Sequence, residues 1–296
     1  MQKVIGSMVA AIALTTSYGA SAFELPFLKE EALALGHKLP PAYGISSGYM
    51  KVEQGVNIDS IGFSGLKFLN KPIATDAIDI TTTQGHQMTE VFHIRADAWL
   101  LPFLNLYAIG GKVQGYSDTN ISINKFTLPS GAELPLPDSL KDLPFRLDLD
   151  GYVYGAGVTV AGGTGNWFTL IDASYTKTDL TVIDGEISTF VLSPRLGYEF
   201  TVNQQPLRVW FGAMYQDIDQ FLTGQINDLD LPSEVKSLLD IVNRSGDGKF
   251  EVNQHLTAPW NGIVGAQYQI NHSVSLMTEW GFGSRQSAMF AIEARF

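Results

Sequence analysis

Apolar and polar residues alternate along many long segments of the chain, and this alternation is the dominant pattern of the sequence. In residues 88–101, Phe92 and Ile94 alternate with His93 and Arg95. Successive side chains of a strand point to opposite faces, so this segment has one apolar face and one polar face. The pattern predicts nine strands from residue 88 onward, at 88–101, 105–116, 147–160, 167–177, 188–200, 207–216, 259–270, 273–283 and 286–296.

The connections between these predicted strands alternate in length. Short links lie at 102–105, 161–166, 202–206 and 271–272, and longer ones at about 70–87, 117–146, 178–187 and 217–258. Brief periplasmic turns and extended extracellular loops are typical of transmembrane barrels in bacteria. An even strand number also requires a strand between Tyr43 and Leu69. We therefore predict an all-β, antiparallel, up-and-down transmembrane β-barrel over 43–296. We expect about ten strands, or twelve if 43–69 folds as a hairpin and a further strand lies in 70–87.

Aromatic residues are predicted near both ends of the strands. Amphipathic rings favour the two membrane interfaces, so a barrel in lipid should carry two aromatic bands. The predicted periplasmic band comprises Phe103, Tyr107, Tyr198, Phe200, Tyr268 and Phe296, and the outer band comprises Tyr152, Tyr154, Tyr175, Tyr215, Trp260, Trp280 and Phe282.

The N-terminal segment has the pattern of a secretory signal peptide. Lys3 precedes an apolar stretch over 4–14, and Ala20-Ser21-Ala22 provides small residues for cleavage. We predict a signal peptide over 1–22 and a periplasmic leader over 23–42. Residues 24–38 can form a short amphipathic helix, which either plugs the periplasmic mouth or belongs to a flexible leader.

The last segment carries the most specific sequence signal. Phe290, Ile292 and Phe296 share one face of a predicted strand. This segment resembles the C-terminal signature strand of Gram-negative outer-membrane barrels. The resemblance implies a protein of that outer membrane whose partners are the membrane lipid and the barrel-assembly machinery, with these three residues as the assembly signal.

Composition excludes several other classes of protein. The chain has no cysteine, which excludes a disulfide-rich domain and a cysteine-ligated zinc site. Its net charge of −11 argues against nucleic acid as a partner, because phosphate binding needs clustered lysine and arginine. No cofactor is predicted.

Many charged residues are predicted on the polar, inward faces of the strands. One interpretation is a narrow pore or transporter for small solutes whose selectivity these charges set. The other is a closed barrel held by salt bridges, which the similar number of positive and negative residues favours. The predicted lumen residues are His93, Arg95, Asp97, Lys112, Asp172, Arg195, Glu199, Arg208, Glu279, Glu293 and Arg295.

Two predicted outer loops resemble each other, over 134–143 and 231–239. Each has a proline just before an amphipathic, helix-like segment, which predicts short helices in the extracellular loops. Such loops can bind an extracellular ligand, so a structural or surface-interaction barrel of the adhesion type is the alternative function.

The sequence lacks the complete residue set for two kinds of chemistry. Asn243, Ser245 and Asp247 have the spacing of the first ligands of a calcium-binding EF-hand loop, but Gln254 stands where a bidentate glutamate belongs. Outer-membrane lipid hydrolases carry a His-x-Ser pair, whereas here His272 is followed directly by Ser273 at a periplasmic turn. No converging nucleophile and base are evident. We predict no metal site and no enzyme activity.

Overall fold

The computed structural model describes residues 25–68, 71–74, 77–181, 184–228, 233, 235–236, 242–243 and 246–296. The predicted signal peptide therefore lies outside the described residues. The strands are β1 (Tyr43–Ser64), β2 (Lys67–Phe68), β3 (Lys71–Pro72), β4 (Ile78–Thr82), β5 (Gly85–Leu101), β6 (Leu104–Thr127), β7 (Glu133–Leu134), β8 (Leu143–Thr164), β9 (Trp167–Leu180), β10 (Asp184–Val202), β11 (Gln205–Gln225), β12 (Lys249–Leu256), β13 (Trp260–Gln269), β14 (Val274–Phe282) and β15 (Arg285–Arg295). One short helix, α1 (Lys29–Ala34), precedes them.

Ten of these strands form a closed antiparallel ring. The order is β1-β5-β6-β8-β9-β10-β11-β13-β14-β15, and β15 pairs back onto β1 through residues 44–54. Closure leaves no unpaired strand edge within this ring, which is the condition for a sheet to cross a membrane. The prediction of an up-and-down barrel with about ten strands is confirmed.

The outer face of the ring carries the apolar belt that lipid requires. Large side chains point outward at both ends of the belt, from Trp167 and Phe200 at the periplasmic end to Tyr152, Tyr175 and Trp260 at the outer end. This belt makes the chain a transmembrane β-barrel of the Gram-negative outer-membrane type. Tyr107 is an exception to the predicted bands, because its ring is buried and faces inward.

A ring of charged residues lies just beyond the outer aromatic band. Lys51 pairs with Glu53 at 2.7 Å, and Lys112 pairs with Asp150 at 3.2 Å. Hydrogen bonds from Gln114 and from Lys112 lower the pKa of the Asp150 carboxyl. Charges of this kind are unfavourable against hydrocarbon, so the charged ring sets the outer limit of the lipid-facing wall.

Several strands continue past the charged ring into an extracellular part, which we call the head. It is built from two facing halves. One half contains β4 and β7 with the outer ends of β6 and β8, and the other contains β12 with the outer ends of β1, β10 and β11. Much of 117–146 and 217–258, predicted as loops, is therefore strand.

At the head, the inner face of the wall becomes apolar and the outer face becomes polar. In β8, Phe145, Leu147 and Leu149 point inward and are buried, whereas Arg146 and Asp148 are exposed. The head is surrounded by water, so its apolar side chains fill the interior, as in a soluble protein. Val56, Leu222, Phe250 and Val252 have no exposed surface and pack in one cluster with residues of both halves.

Two 3-10 turns lie in the described parts of the outer loops, at Asp138–Leu140 and Ile226–Asp228. The predicted helix over 134–143 is limited to the first of these, because Leu134 instead pairs with β6. Most of the segment 231–239 lies outside the described residues, and its described residues, Ser233, Val235 and Lys236, are helical as predicted. In the part of the chain that the structure describes, no helix is long and apolar enough to cross a membrane.

We expect the head core to be a major source of stability. Replacing Phe250 by alanine should lower the free energy of unfolding by about 3–5 kcal/mol, because it removes a fully buried ring from a packed core. Phe221 lies on the adjacent strand but points to the outer surface, so Phe221→Ala should cost far less. Urea unfolding of both variants measures the difference, and equal losses would contradict the assignment of the core.

Candidate functional site

Ten of the eleven predicted lumen residues face the interior of the barrel. These are His93, Arg95, Asp97, Asp172, Arg195, Glu199, Arg208, Glu279, Glu293 and Arg295. The prediction for Lys112 is wrong. It lies directly across from Phe92 and Tyr152, which are 54% and 58% exposed on the outer face. Asn105 and Tyr107 are buried and face inward, so the odd-numbered residues of β6 point into the barrel. Lys112 has an even number and therefore points outward.

Arg295 connects the last strand to the strands beside it. Its guanidinium contacts Asp97 at 2.6 Å and Glu293 at 2.8 Å, and donates a third hydrogen bond to the Pro41 carbonyl at 3.1 Å. The contact to Asp97 passes over β1 at Gly44, where a Cβ atom would lie 2.4 Å from the Asp97 carboxylate. A glycine is therefore needed at this position of the closing seam.

Arg95 and Asp172 form the centre of a second cluster. The Arg95 guanidinium lies 3.6 Å from the centre of the Tyr107 ring and donates to Asn105 at 3.1 Å. Asp172 accepts hydrogen bonds from Tyr107 at 2.9 Å and from Thr159 at 2.6 Å. Asn105 in turn donates to Asp97, so the two clusters are continuous.

Arg195 and Glu279 form a bridge across the lumen. The guanidinium binds the carboxylate through two hydrogen bonds of 2.8 and 3.0 Å, and the Trp210 indole donates to the same carboxylate at 2.7 Å. Arg195 lies on β10 and Glu279 on β14, which β11 and β13 separate in the ring. This paired geometry is the strongest that an arginine makes with a carboxylate.

A more exposed pair lies at the periplasmic end. Arg208 donates to Glu199 at 2.8 Å and to Gln267 at 3.3 Å, and Gln267 donates to Glu293 at 2.8 Å. The polar groups therefore form a chain of contacts around most of the ring.

Large side chains fill the lumen by packing on inward-facing glycines. A Cβ atom at Gly265 would lie 2.4 Å from the Trp210 ring, and one at Gly157 would lie 2.4 Å from the Tyr107 ring. His93 packs on Gly48 in the same manner. Only the cross-strand register reveals which large side chain each of these glycines accommodates.

A layer of amides separates the lumen from the head core. Gln87 and Gln220 exchange hydrogen bonds of 3.3 and 3.4 Å, Gln54 donates to Gln87 at 2.8 Å, and Gln254 donates to Gln220. All four glutamines are buried, and Ser117 completes the layer by donating to Gln254. The sequence alone does not reveal these residues, because uncharged amides do not stand out among the other polar positions.

A cleft of about 640 Å³ opens on the side of the head. β1 pairs with β5 up to Val56, but beyond this point β4 pairs only with β6 and β1 only with β12 among the described strands. The wall is therefore split between two strand edges. The cleft is lined by Asp59, Ser60, Ile61, Gly62, Ala77, Ile78, Asp79, Ile80, Lys125, Thr127, Glu251 and Asn253.

The segment of the calcium candidate forms a turn. The amide oxygen of Asn243 accepts a hydrogen bond from the Gly248 N–H at 2.8 Å, and its nitrogen donates to Asn227 at 3.2 Å. Ser245 lies outside the described residues. Within the described ranges, no cluster of three or more histidine, aspartate or glutamate residues forms a metal site.

The start of β1 and the residue that follows β15 meet at the periplasmic rim. The Phe296 ring stacks on Tyr43 with 6.3 Å between the ring centres, and Phe290 and Ile292 point outward from β15. Helix α1 follows Phe27, whose N–H donates to the Leu100 carbonyl at the end of β5. The assembly role of the C-terminal strand and the plug role of the leader stay predictions.

Comparisons with known proteins concern the fold alone. No family model and no curated protein sequence matches the chain. Among solved structures, the chain is similar to the transport unit of the autotransporter AIDA-I from Escherichia coli (TM-score 0.40, 10% identity, 86% of this chain and 90% of that one). It is also similar to the outer membrane protein OprG from Pseudomonas aeruginosa (TM-score 0.34, 12% identity, 87% and 98%) and to the translocator domain of NalP from Neisseria meningitidis (TM-score 0.36, 10% identity, 91% and 93%).

We expect the bridge between Arg195 and Glu279 to stabilise the barrel far more than the exposed pair. Glu279→Gln should lower the free energy of unfolding by about 3–5 kcal/mol, since it leaves a guanidinium without its carboxylate inside the lumen. Glu199→Gln removes the corresponding group from the half-exposed pair with Arg208 and should cost about 1 kcal/mol or less.

Urea unfolding in lipid vesicles measures both changes. The double variant Arg195→Met with Glu279→Gln should recover part of the loss, because no unpaired charge then remains. Equal costs at the two sites would show that the bridge is not shielded from water.

Proposed function

We propose that this protein is a closed outer-membrane barrel that displays its head at the cell surface and acts by binding a partner outside the cell. The proposal favours the surface-interaction alternative over a pore for small solutes. It is carried by one observation, the apolar core that the two halves of the head form directly beyond the lumen.

A solute path through the barrel would have to cross this core. Leu222 and Phe250 from one half pack in the same cluster as Ile121 and Phe126 from the other, and all four are almost completely buried. Polar solutes and ions cannot cross packed apolar side chains without losing their hydration. The core therefore supports a barrel that is closed at its outer end.

The lumen supports the same conclusion. The Arg195–Glu279 bridge crosses it, and the hydrogen bond between Gln87 and Gln220 joins the two halves of the wall at the base of the head. Ion-conducting lumens expose charges to water along a continuous path, whereas these side chains bind one another. We assign the inward charges to barrel stability.

The cleft is the surface of the head that is best suited to bind a partner. On either side of it lie strand edges that no described strand pairs with, at β1 59–62 and β4 78–80. Backbone groups on such edges accept an added strand, which is a common way to bind an extended peptide. Asp59, Asp79 and Glu251 outnumber Lys125, so the cleft favours a peptide with basic side chains.

A closed barrel should conduct no ions. We expect the purified, refolded protein to give no stable conductance steps in a planar bilayer, because the head core blocks the path. Deletion of residues 23–38 should not change this result, since the block lies at the opposite end from the leader.

Gel mobility before and after heating verifies that each sample is folded. Stable ohmic steps from the folded full-length protein would contradict the closed barrel. Steps that occur only after the deletion would instead assign the leader as a plug and place the barrier at the periplasmic mouth.

Peptide binding at the cleft can be tested with a blocking variant. Gly62 lines the cleft and has no neighbouring atom within 4 Å of its ideal Cβ position, so Gly62→Trp should fill the cleft without disturbing the fold. Peptides selected from a random phage-displayed library on the wild-type protein should bind this variant at least 10-fold more weakly.

Gly162 provides the matched control. It also has open space around its Cβ position but lies near the periplasmic turn, so Gly162→Trp should bind the selected peptides like the wild type. Peptides that bind Gly62→Trp and the wild type equally would contradict the cleft as the binding surface, whatever the conductance result.

A further inference from the structure

Arg285 is a buried cation whose side chain has no partner in the described part of the chain. It is the first residue of β15, points into the barrel and is 3% exposed. Both terminal nitrogens of its guanidinium, Nη1 and Nη2, are buried without a hydrogen bond. Arg95, Arg195, Arg208 and Arg295, the other inward-facing arginines described, each lie within 4.0 Å of a carboxylate.

The backbone of Arg285 is held firmly in place. Its N–H donates to the Asn261 amide oxygen at 3.1 Å, and its carbonyl accepts from the Asn261 amide nitrogen at 2.7 Å. The guanidinium therefore belongs to an ordered part of the wall, at the point where β1 exchanges its partner β15 for β12.

Among the described residues, the inward side chains next to Arg285 contain no carboxylate. Gln54 lies directly across on β1, and Gln87 lies beyond it on β5. Ser287 follows on β15, and Asn261 lies on β13. Burial of an unpaired charge is costly, and a guanidinium cannot lose its proton to avoid that cost. The charge therefore requires an anion that the described part of the chain does not supply.

We propose that Arg285 binds one small oxyanion inside the barrel, at the base of the head. The planar guanidinium presents two parallel N–H groups, which match the two oxygens of a carboxylate or of hydrogencarbonate. The buried Oε1 atom of Gln54 also has no hydrogen-bond donor, and a hydroxyl group on the anion would supply one. This inference does not depend on the proposed surface function.

Formate is the probe for the site, because it is the smallest carboxylate. The protein is refolded at constant ionic strength in sodium gluconate, whose anion is too large for a buried site, and the gluconate is replaced stepwise by formate. The wild-type unfolding temperature should rise by roughly 2–5 °C once formate exceeds its dissociation constant tenfold.

Two variants separate this effect from a general effect of the salt. Arg285→Gln removes the charge and should show no rise with formate, while it should be more stable than the wild type in gluconate alone. Arg146→Gln removes an exposed arginine from the outer surface of the head and should respond as the wild type does. An equal rise in the wild type and in Arg285→Gln would overturn the proposal.

A crystal structure of the wild-type protein grown in formate gives a test that needs no variant. We expect an anion within hydrogen-bond distance of both Nη1 and Nη2 of Arg285. Water alone at these two atoms would overturn the proposal, because it would show that the guanidinium is hydrated in place of being paired.

Discussion

The pairing of β1 with β15 is the contact on which the rest of the structure depends. Strands cross lipid only when every backbone group is bonded within the sheet, and this seam bonds the first strand of the ring to the last one. The lumen reinforces the seam from inside, because the bridge between Arg295 and Asp97 passes over β1 where Gly44 has no side chain. The salt-bridge network is thus part of the closure of the barrel.

The same continuous strands face lipid in the membrane part and water in the head. Against lipid the apolar side chains point outward and the polar ones are paired inside, whereas in the head the apolar side chains point inward. The buried glutamine layer lies between the polar lumen and the apolar core of the head. Amides suit this boundary because they hydrogen-bond one another without a charge, with only the Oε1 atom of Gln54 left without a donor, so they tolerate both the polar lumen below and the apolar core above.

Strict alternation against lipid made the barrel part predictable. The last strand and the strand around Ile94 and Arg95 contain few exceptions to the pattern, and ten of the eleven charged residues predicted to face inward do so. Lys112 was misplaced because Gly110 and Gly111 interrupt the pattern in β6, so the outward face of that strand was ambiguous.

The head was not predictable in the same way. Its strands alternate too, but with inside and outside exchanged, and proline and glycine residues around them have the composition of loops. Arg285 also escaped notice, since an unpaired arginine is recognisable only once the positions of all its neighbours are known. The pattern within one strand shows which of its residues lie on the same face. Pairing across the lumen depends on the register of strands that are far apart in sequence.

The continuity of the long strands also has a mechanical consequence. β6 runs through both the membrane part and the head as one strand of 24 residues, about 80 Å of extended chain. No flexible linker separates the two parts along this strand, so the head cannot swivel on its base. The cleft is then held at a fixed angle to the membrane plane and opens sideways. A strand that pairs with these edges must run alongside β1 and β4, at their tilt to the membrane, and any pull on it is transmitted directly into the barrel wall.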